Sequence, residues 1–512
     1  MIGFIVYPYA PEILRRLRDK GYRLGIISNT GDDRGDAVDA MLQGAGLLDL
    51  FEPRLCVYSR DVDQRKDSPE IFRLAAGRAG LQPGDCLFVG EDSLERRQAT
   101  DAGMRVCPHP LLVEAVLRRE RLHYTQITVP PGMETTEWRD RVRSLEVVPL
   151  SATGDAVAEF HGIAASGAIR ELANLQFGVQ LLGEPDAPLL SDLYLLRDDR
   201  AHRTGFLAPE GQAGWFSGPS EASWLLSAGA EGLLVALPAG RSVEEYHFEE
   251  AYHGHNLKLM PDPNLLTPFG TGTRAASWLT LPEPELDSRA RAILDTITPE
   301  RLRRRLERYI GEVPLGDDGD RLVGSRHIHH ADNERAAMAL ALDLHEIGQG
   351  AFRVELHQFT HEGRRLFNVA AEMADAETDE LVLVTAHLDS TAAFSRPYDP
   401  REDLAPGADD DASGTTAVLV IAEALRTLAA ERRPRRRIRF VLFNAEEHGL
   451  VGSKAYARSQ AAVAAPIVAV YQMDMIGYNR LPPRSWEVHA GYSRSTDVQE
   501  RSRLLADRLG RI

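Results

Sequence analysis

Cysteine is almost missing from this chain of 512 residues: only Cys56, Cys86 and Cys107 occur, all near its start. No disulfide framework supports the remainder, so a reducing, cytoplasmic setting is expected. Basic charge is in deficit, with 59 Lys and Arg against 76 Asp and Glu and a net charge of −17. A field of that sign repels polyanions, so nucleic acid is excluded as an expected partner. No run of about 18 apolar residues stands out. The opening stretch, Met1 to Pro8, has no basic flank and meets a proline early. Neither a membrane partner nor a signal peptide is expected.

What the chain does have is the material of a folded protein: 43% apolar and 26% charged residues, with 42 Gly and 29 Pro. Single cores stop growing at roughly 250–300 residues, so several domains are expected. Residues 1–120 alternate helix and strand patterns, with an amphipathic helix from Pro11 to Lys20 and buried strands at Tyr22 to Ser28 and Cys86 to Gly90. Residues 121–285 change to short apolar runs broken by Gly and Pro, among them Ile127-Thr128-Val129, Leu175 to Leu182, Leu193 to Leu196 and Leu233-Leu234-Val235. A β-rich middle domain of unassigned role is expected there. Leu281 to Asp287 carries two prolines spaced by acids and reads as a linker. Residues 286–512 open with Thr298-Pro299-Glu300, an N-cap followed by proline at the first helical position, and with the stripe Leu302, Leu306, Ile310. The fold class expected for the whole is α/β multidomain.

Chemistry concentrates in the last part. The apolar strand Leu381 to Ala386 runs directly into His387-Leu388-Asp389-Ser390. A second strand, Ile438 to Phe443, leads into Asn444-Ala445-Glu446-Glu447, and a third, Ile467 to Met473, ends at Asp474. Between the first two lies Ala408-Asp409-Asp410-Asp411-Ala412-Ser413-Gly414, ahead of an apolar helix from Thr415 to Ala430. Open α/β sheets hold ligands beyond the carboxyl ends of their strands. One imidazole and several carboxylates converging there suit Zn²⁺, and a cation explains how so many acids share one crevice.

These four motifs, in this order, resemble the co-catalytic zinc exopeptidases typified by bacterial leucyl aminopeptidase, over a stretch that includes Ser325 to Asn333. The resemblance implies a C-terminal α/β zinc-exopeptidase domain of phosphorylase/hydrolase-like fold that cleaves N-terminal peptide bonds of peptide substrates. It makes His387, Asp410 and Asp474 ligands of one zinc, with Asp410 bridging to a second zinc held by Glu447. Asp389 would orient His387, and Glu446 would be the general base that takes a proton from water. Adjacent acids can divide these roles only if they point differently. The family also supplies a last histidine to the second zinc from a loop downstream of Asp474. The tail here reads as a strand from Trp486 to Ala490 and an amphipathic helix from Thr496 to Leu509, and His489 inside that strand is not expected to substitute. The first zinc site is complete in sequence and the second is not. His327, His329 and His330 are expected at the surface or as caps of a helix start, and His253 and His255 flank a turn at Gly254.

The beginning of the chain resembles haloacid-dehalogenase-like hydrolases. Tyr22 to Thr30 matches a phosphate-binding strand end at Ser28, Lys66 a phosphate-neutralising lysine, and Phe88 to Ser93 a metal loop. The nucleophilic aspartate of that family has no counterpart, since Asp61-Val62-Asp63 lies after the strand end, and Arg96 stands where an acid is expected. The resemblance therefore implies a truncated, catalytically silent HAD-like α/β domain in which Ser28 and Lys66 remain able to hold an anion. A truncated chain would account for both missing elements at once. The readings that compete with an aminopeptidase are glutaminyl-cyclase-like aminoacyl transfer on the same fold and an inactive fragment or scaffold.

Overall fold

The computed structural model describes residues 6–31, 33–151, 159–197, 216–217, 225–229, 232–248, 256–266, 287–316, 322–373, 375–393, 397–477, 488–490 and 496–511. His253, His255 and residues 281–286 of the expected linker lie outside them.

The amino-terminal part is α/β. Its first helix, Ala10–Asp19, buries Ile13 and Leu17, one helical turn apart, and exposes its arginines. Short parallel pairs join Ile26–Ser28 to Cys56–Tyr58 and Leu87–Val89 to Arg105–Cys107. Phe72 and Phe88 meet edge to face at 4.9 Å in the core between them. The three cysteines are free.

The middle part holds more helix than its apolar runs suggest. Leu122–Thr128, Thr135–Arg143, Val147–Ser151, Glu159–Ala165, Ser166–Asn174 and Gly178–Leu182 form a β-α-β-β-α-β unit. In its antiparallel sheet Leu122–Thr128 lies between Glu159–Ala165 and Gly178–Leu182, with Val147–Ser151 at the edge, which is the ferredoxin-like order. A second antiparallel sheet runs Leu225–Gly229, Gly232–Pro238, Ser191–Leu196, Asn256–Leu259. One continuous core extends from Ile13 and Leu112 through Trp138 and Phe160 to Leu234 and Leu266, so the first two parts pack as one body.

The carboxyl-terminal part begins with Ser288–Leu294, capped by Asp287, and Pro299–Tyr309, capped by the Thr298 hydroxyl, which accepts the Arg301 N–H. Its five-stranded sheet is ordered Phe352–His361, Arg364–Met373, Arg436–Phe443, Thr378–His387, Ile467–Gln472, the last three strands being parallel. Alternate residues serve opposite faces. Val369, Ala371, Val384, Ala386, Phe440 and Leu442 pack under helices Asp332–Gly348 and Ala412–Ala429, while Ala370, Leu383 and Val441 meet Tyr456 of helix Val451–Ala462. Burial on both faces explains the mostly apolar runs of the two inner parallel strands, Thr378–His387 and Arg436–Phe443. Among the described residues, Ala412–Ala429 is the one helix long and apolar enough to cross a membrane, and more than half of it is buried against this sheet. The helix Thr496–Leu509 forms as expected. Of the expected strand from Trp486 to Ala490, Trp486 and Glu487 lie outside the described residues; residues 488–490 are coil and His489 is exposed.

Candidate metal centre

The chain leaves Thr378–His387 toward one neighbouring strand, Arg436–Phe443, and later returns on its other side as Ile467–Gln472. The carboxyl end of that central strand is therefore the topological switch point, where α/β sheets open a crevice. His387 sits there, 1% exposed. Its peptide is pinned from both sides: Asp411 Oδ2 accepts the His387 N–H at 3.1 Å, and the Thr415 hydroxyl donates to the His387 carbonyl at 2.6 Å.

Three chain segments bring oxygen ligands to His387 Nε2. Asp410 Oδ1 lies at 2.9 Å, Asp474 Oδ1 at 3.8 Å and Glu446 Oε2 at 3.9 Å. On the other side of the ring, Asp389 Oδ1 faces Nδ1 at 3.4 Å. Asp389 also accepts the backbone N–H groups of Glu446 and Glu447 at 3.0 and 3.2 Å, so one buried carboxylate ties the imidazole to the acid pair. The strand has already ended at Phe443, and the chain reaches Glu446 and Glu447 through Ala445, whose φ of 56° is left-handed. Asn444 holds this turn: its amide exchanges hydrogen bonds with Asn333 at 2.9 and 3.1 Å, and its N–H donates to Asn368 at 2.8 Å. Arg326, wholly buried, donates to the carbonyls of Tyr309, Leu388, Pro406 and Gly407 and so fastens the His387 and Asp410 loops together.

The charge balance of this cluster fits a cation. Burial alone would lower the His387 imidazole, yet the Glu446 charge and the contacts with Asp389 and Asp410 push it well above its ordinary range. Burial raises the Glu447 carboxyl well above the carboxylate range, and the Asp410 and Glu446 charges raise it further. Both shifts mark an excess of negative charge around one imidazole, the imbalance that a divalent ion would offset. His387, Asp411 and Asp474 can bring one ligand atom each within 4.8 Å of one another. Asp411 was not singled out in the sequence. It is fully buried and caps helix Ala412–Ala429, its Oδ1 accepting the Gly414 N–H at 2.8 Å, whereas the Asp410 side chain stays 42% exposed. That exposure leaves Asp410 the freer of the two to turn toward an ion.

The other expected candidates lie elsewhere. Ser28 ends its strand in the amino-terminal part, and the Lys66 ammonium is taken up by Glu95 at 2.6 and 2.7 Å. A cavity of about 350 Å³ borders Lys66, Glu95 and Arg458 where this part meets the five-stranded sheet. Glu91 of the metal-loop motif pairs with Arg458 through two 2.9 Å bonds, and Asp92 caps Ser93–Asp101. Arg96 gives its guanidinium to the carbonyls of Gly90, Pro188, Leu189 and Ser191. Asp61 accepts the Gly35 N–H. His330 does cap a helix start, accepting the Asp332 N–H, but His327 is not a surface residue: it is 1% exposed and bonded to Glu244, because the middle part covers the turn that carries it.

Two segments of the chain match known families. Residues 368–512 match Peptidase family M28, and residues 3–93 match the haloacid dehalogenase-like hydrolases. Leucine aminopeptidase 1 of Penicillium rubens is 35% identical over 140 residues, 26% of this chain and 34% of that protein. The chain spans about a third of the length of the curated relatives it matches. The LapA aminopeptidase of Legionella pneumophila superposes with a TM-score of 0.38 at 15% identity, over 57% of this chain and 70% of that one. Macrostomum lignano glutaminyl cyclase gives 0.29 at 19% identity, over 38% and 58%.

Proposed function

We propose, with the Peptidase family M28 domain at the carboxyl-terminal end as premise, that this chain belongs to a zinc-dependent aminopeptidase that removes residues from the N-termini of peptides. The observation that carries the reading is the approach of Asp410, Asp474 and Glu446, from three separate segments, to within 2.9–3.9 Å of one buried imidazole nitrogen. His387, Asp410 and Asp474 would hold zinc, and Glu447 would serve a second ion with Asp410 as the shared ligand. Zinc bound there supplies Lewis acidity toward the scissile carbonyl and toward water. Glu446, 17% exposed beside this cluster, is placed to accept the proton of the attacking water and return it to the leaving amine. Asp389 holds the imidazole tautomer and, through the two N–H groups it accepts, the direction of both glutamates.

The amino-terminal part is read as a support rather than a second catalyst, because Lys66, Glu91, Asp92 and Arg96 already serve contacts within the fold. The deciding experiment is Glu446→Gln in the full chain, with zinc content and release of free amino acid from dipeptides measured together. The expected result is unchanged zinc with hydrolysis reduced by about 10²–10⁴-fold. A peptide whose N-terminus is cyclised without release of an amino acid would replace this reading with acyl transfer. Equal activity in both proteins would remove Glu446 from the chemistry.

A further inference from the structure

Away from the His387 site, a second group of imidazoles and carboxylates is buried where the parts of the chain meet. Glu244 comes from the middle part, His327 and His329 from the turn before Asp332–Gly348, His361 and Glu362 from the tip of the hairpin joining Phe352–His361 to Arg364–Met373, and His448 from the turn after Glu447. Two sets could each bring three ligand atoms within 4.8 Å: Glu244, His327, His448 and His361, Glu362, His448.

Hydrogen bonding separates the two sets. His327 Nδ1 accepts the His329 backbone N–H at 3.1 Å, so a neutral ring carries its proton on Nε2 and donates it to Glu244 at 2.9 and 3.0 Å. Such a ring has no lone pair left for an ion. The second set differs. His361 Nε2 and His448 Nδ1 are buried and have no hydrogen-bond partner among the described residues. Buried polar atoms left in that state are destabilising, and a missing ion is one of the few ways to account for two of them together. Both face the same atom, Glu362 Oε1, at 3.8 and 3.7 Å, while Glu362 Oε2 is already engaged by His329 Nε2 at 2.6 Å.

Zinc bonds of about 2.0–2.2 Å in a tetrahedral arrangement place ligand atoms roughly 3.3–3.6 Å apart; the two contacts with Glu362 Oε1 exceed this by a few tenths of an ångström, and the two imidazole nitrogens lie within 4.8 Å of each other. The other nitrogen of His448, Nε2, lies 3.3 Å from His327 Nε2 and 3.7 Å from Glu244 Oε2, a carboxylate able to orient a metal-bound ring. Lys258 Nζ lies 3.4 Å from His361 Nδ1 but closer to Asp192, at 2.9 Å. Occupation would move the His361 proton to Nδ1 and leave Lys258 to Asp192. His329, with 18% side-chain exposure, is the member of the group nearest solvent.

We propose that His361 Nε2, Glu362 Oε1 and His448 Nδ1 form a site for a divalent transition metal of the zinc class, distinct from the His387 centre, that locks the hairpin tip to the turn after Glu447. It stands whether or not the His387 centre is a peptidase. The test measures zinc per chain in the full-length protein and in His387→Ala, His361→Ala, Glu362→Gln and the double variant His387→Ala/His361→Ala. The expected outcome is about one zinc retained by His387→Ala, about one zinc lost by His361→Ala or Glu362→Gln relative to the parent, and none in the double variant. Cobalt-loaded His387→Ala is expected to show the visible band of a tetrahedral site, absent from cobalt-loaded double variant. A folded His387→Ala protein without zinc overturns the proposal, as does zinc content indifferent to Glu362→Gln, the near-isosteric change that decides if His361→Ala does not fold. Failure of the His387 centre reads differently, as zinc content indifferent to His387→Ala.

Discussion

Two glycine-to-alanine substitutions are expected to shift stability in opposite directions. Gly452 is the second residue of helix Val451–Ala462, and a Cβ there would stand 2.0 Å from the Asn444 carbonyl oxygen and 2.5 Å from Asn368 Oδ1. The first neighbour is backbone and cannot rotate away, so the helix and the turn must part by about 1 Å to restore contact, an overpacking cost of about 1–3 kcal/mol. The turn that would move begins at Asn444 and carries Glu446 and Glu447. A misplacement of about 1 Å at a catalytic group lowers rate by up to about 10²-fold. Gly77 lies in the interior of helix Glu70–Ala79, has an ordinary helical φ and would place its Cβ in open space. Gly77→Ala is expected to stabilise by about 0.4–1 kcal/mol, through the lower backbone entropy of alanine in the unfolded chain. Urea unfolding followed in the full chain, with peptide hydrolysis measured on the same samples, separates the two. A Gly452→Ala protein as stable and as active as the parent would refute the reasoning, because the helix would then have room that a 2.0 Å approach denies.

The remaining expectations concern charge. His109 is fully buried, and burial pushes its imidazole down to about 4 despite the nearby Glu91. The unfolded chain takes up that proton near pH 6.5 while the native state does not, so stability is retained above pH 6.5 and falls by about 3 kcal/mol on descending to pH 4. In His109→Asn, an unfolding series across those pH values should lose this slope. Lys66 and Glu95 form a pair with 12% and 4% side-chain exposure. Lys66→Met alone strands a buried carboxylate and should cost about 3–5 kcal/mol, whereas Lys66→Met with Glu95→Leu should recover most of it. Equal unfolding midpoints for the single and double variants would show that the pair is not coupled.

Much of the carboxyl-terminal architecture was readable because its strands are covered on both faces. The runs at 381–386, 438–443 and 467–472 are mostly apolar, with Thr385, Arg439 and Gln472 as exceptions, and their polar successors, His387, Glu446, Glu447 and Asp474, stand out by contrast. Asp409, Asp410 and Asp411 are indistinguishable on paper. Only the helix start separates them, by drawing Asp411 inward to the Gly414 N–H. The middle helix Thr135–Arg143 escaped notice because just Trp138, Arg139 and Val142 are buried among otherwise polar residues. Of the cluster around His448, only the closely spaced His327 and His329 stood out in the sequence; Glu244, His361, Glu362 and His448 come from separate segments and meet only after the middle and carboxyl-terminal parts have packed.

The hairpin tip at residues 361–363 is held by the amino-terminal part. Asp92 Oδ2 accepts the Gly363 N–H and Asn29 Nδ2 donates to the Gly363 carbonyl, each at 3.0 Å. The residues beside the lysine and the metal-loop motif therefore grip the backbone N–H and carbonyl of one residue of the carboxyl-terminal part. Gly363 suits the grip, since its φ of 69° is left-handed. Lys66 is neutralised by Glu95 close by, and Glu91 reaches across to Arg458, which is 7% exposed. Separating the parts would break the Glu91–Arg458 pair and both hydrogen bonds to Gly363. The expected consequence is mechanical: the amino-terminal part fixes the hairpin, the hairpin supplies His361 and Glu362, and those residues face the turn that directs Glu446 and Glu447 toward His387.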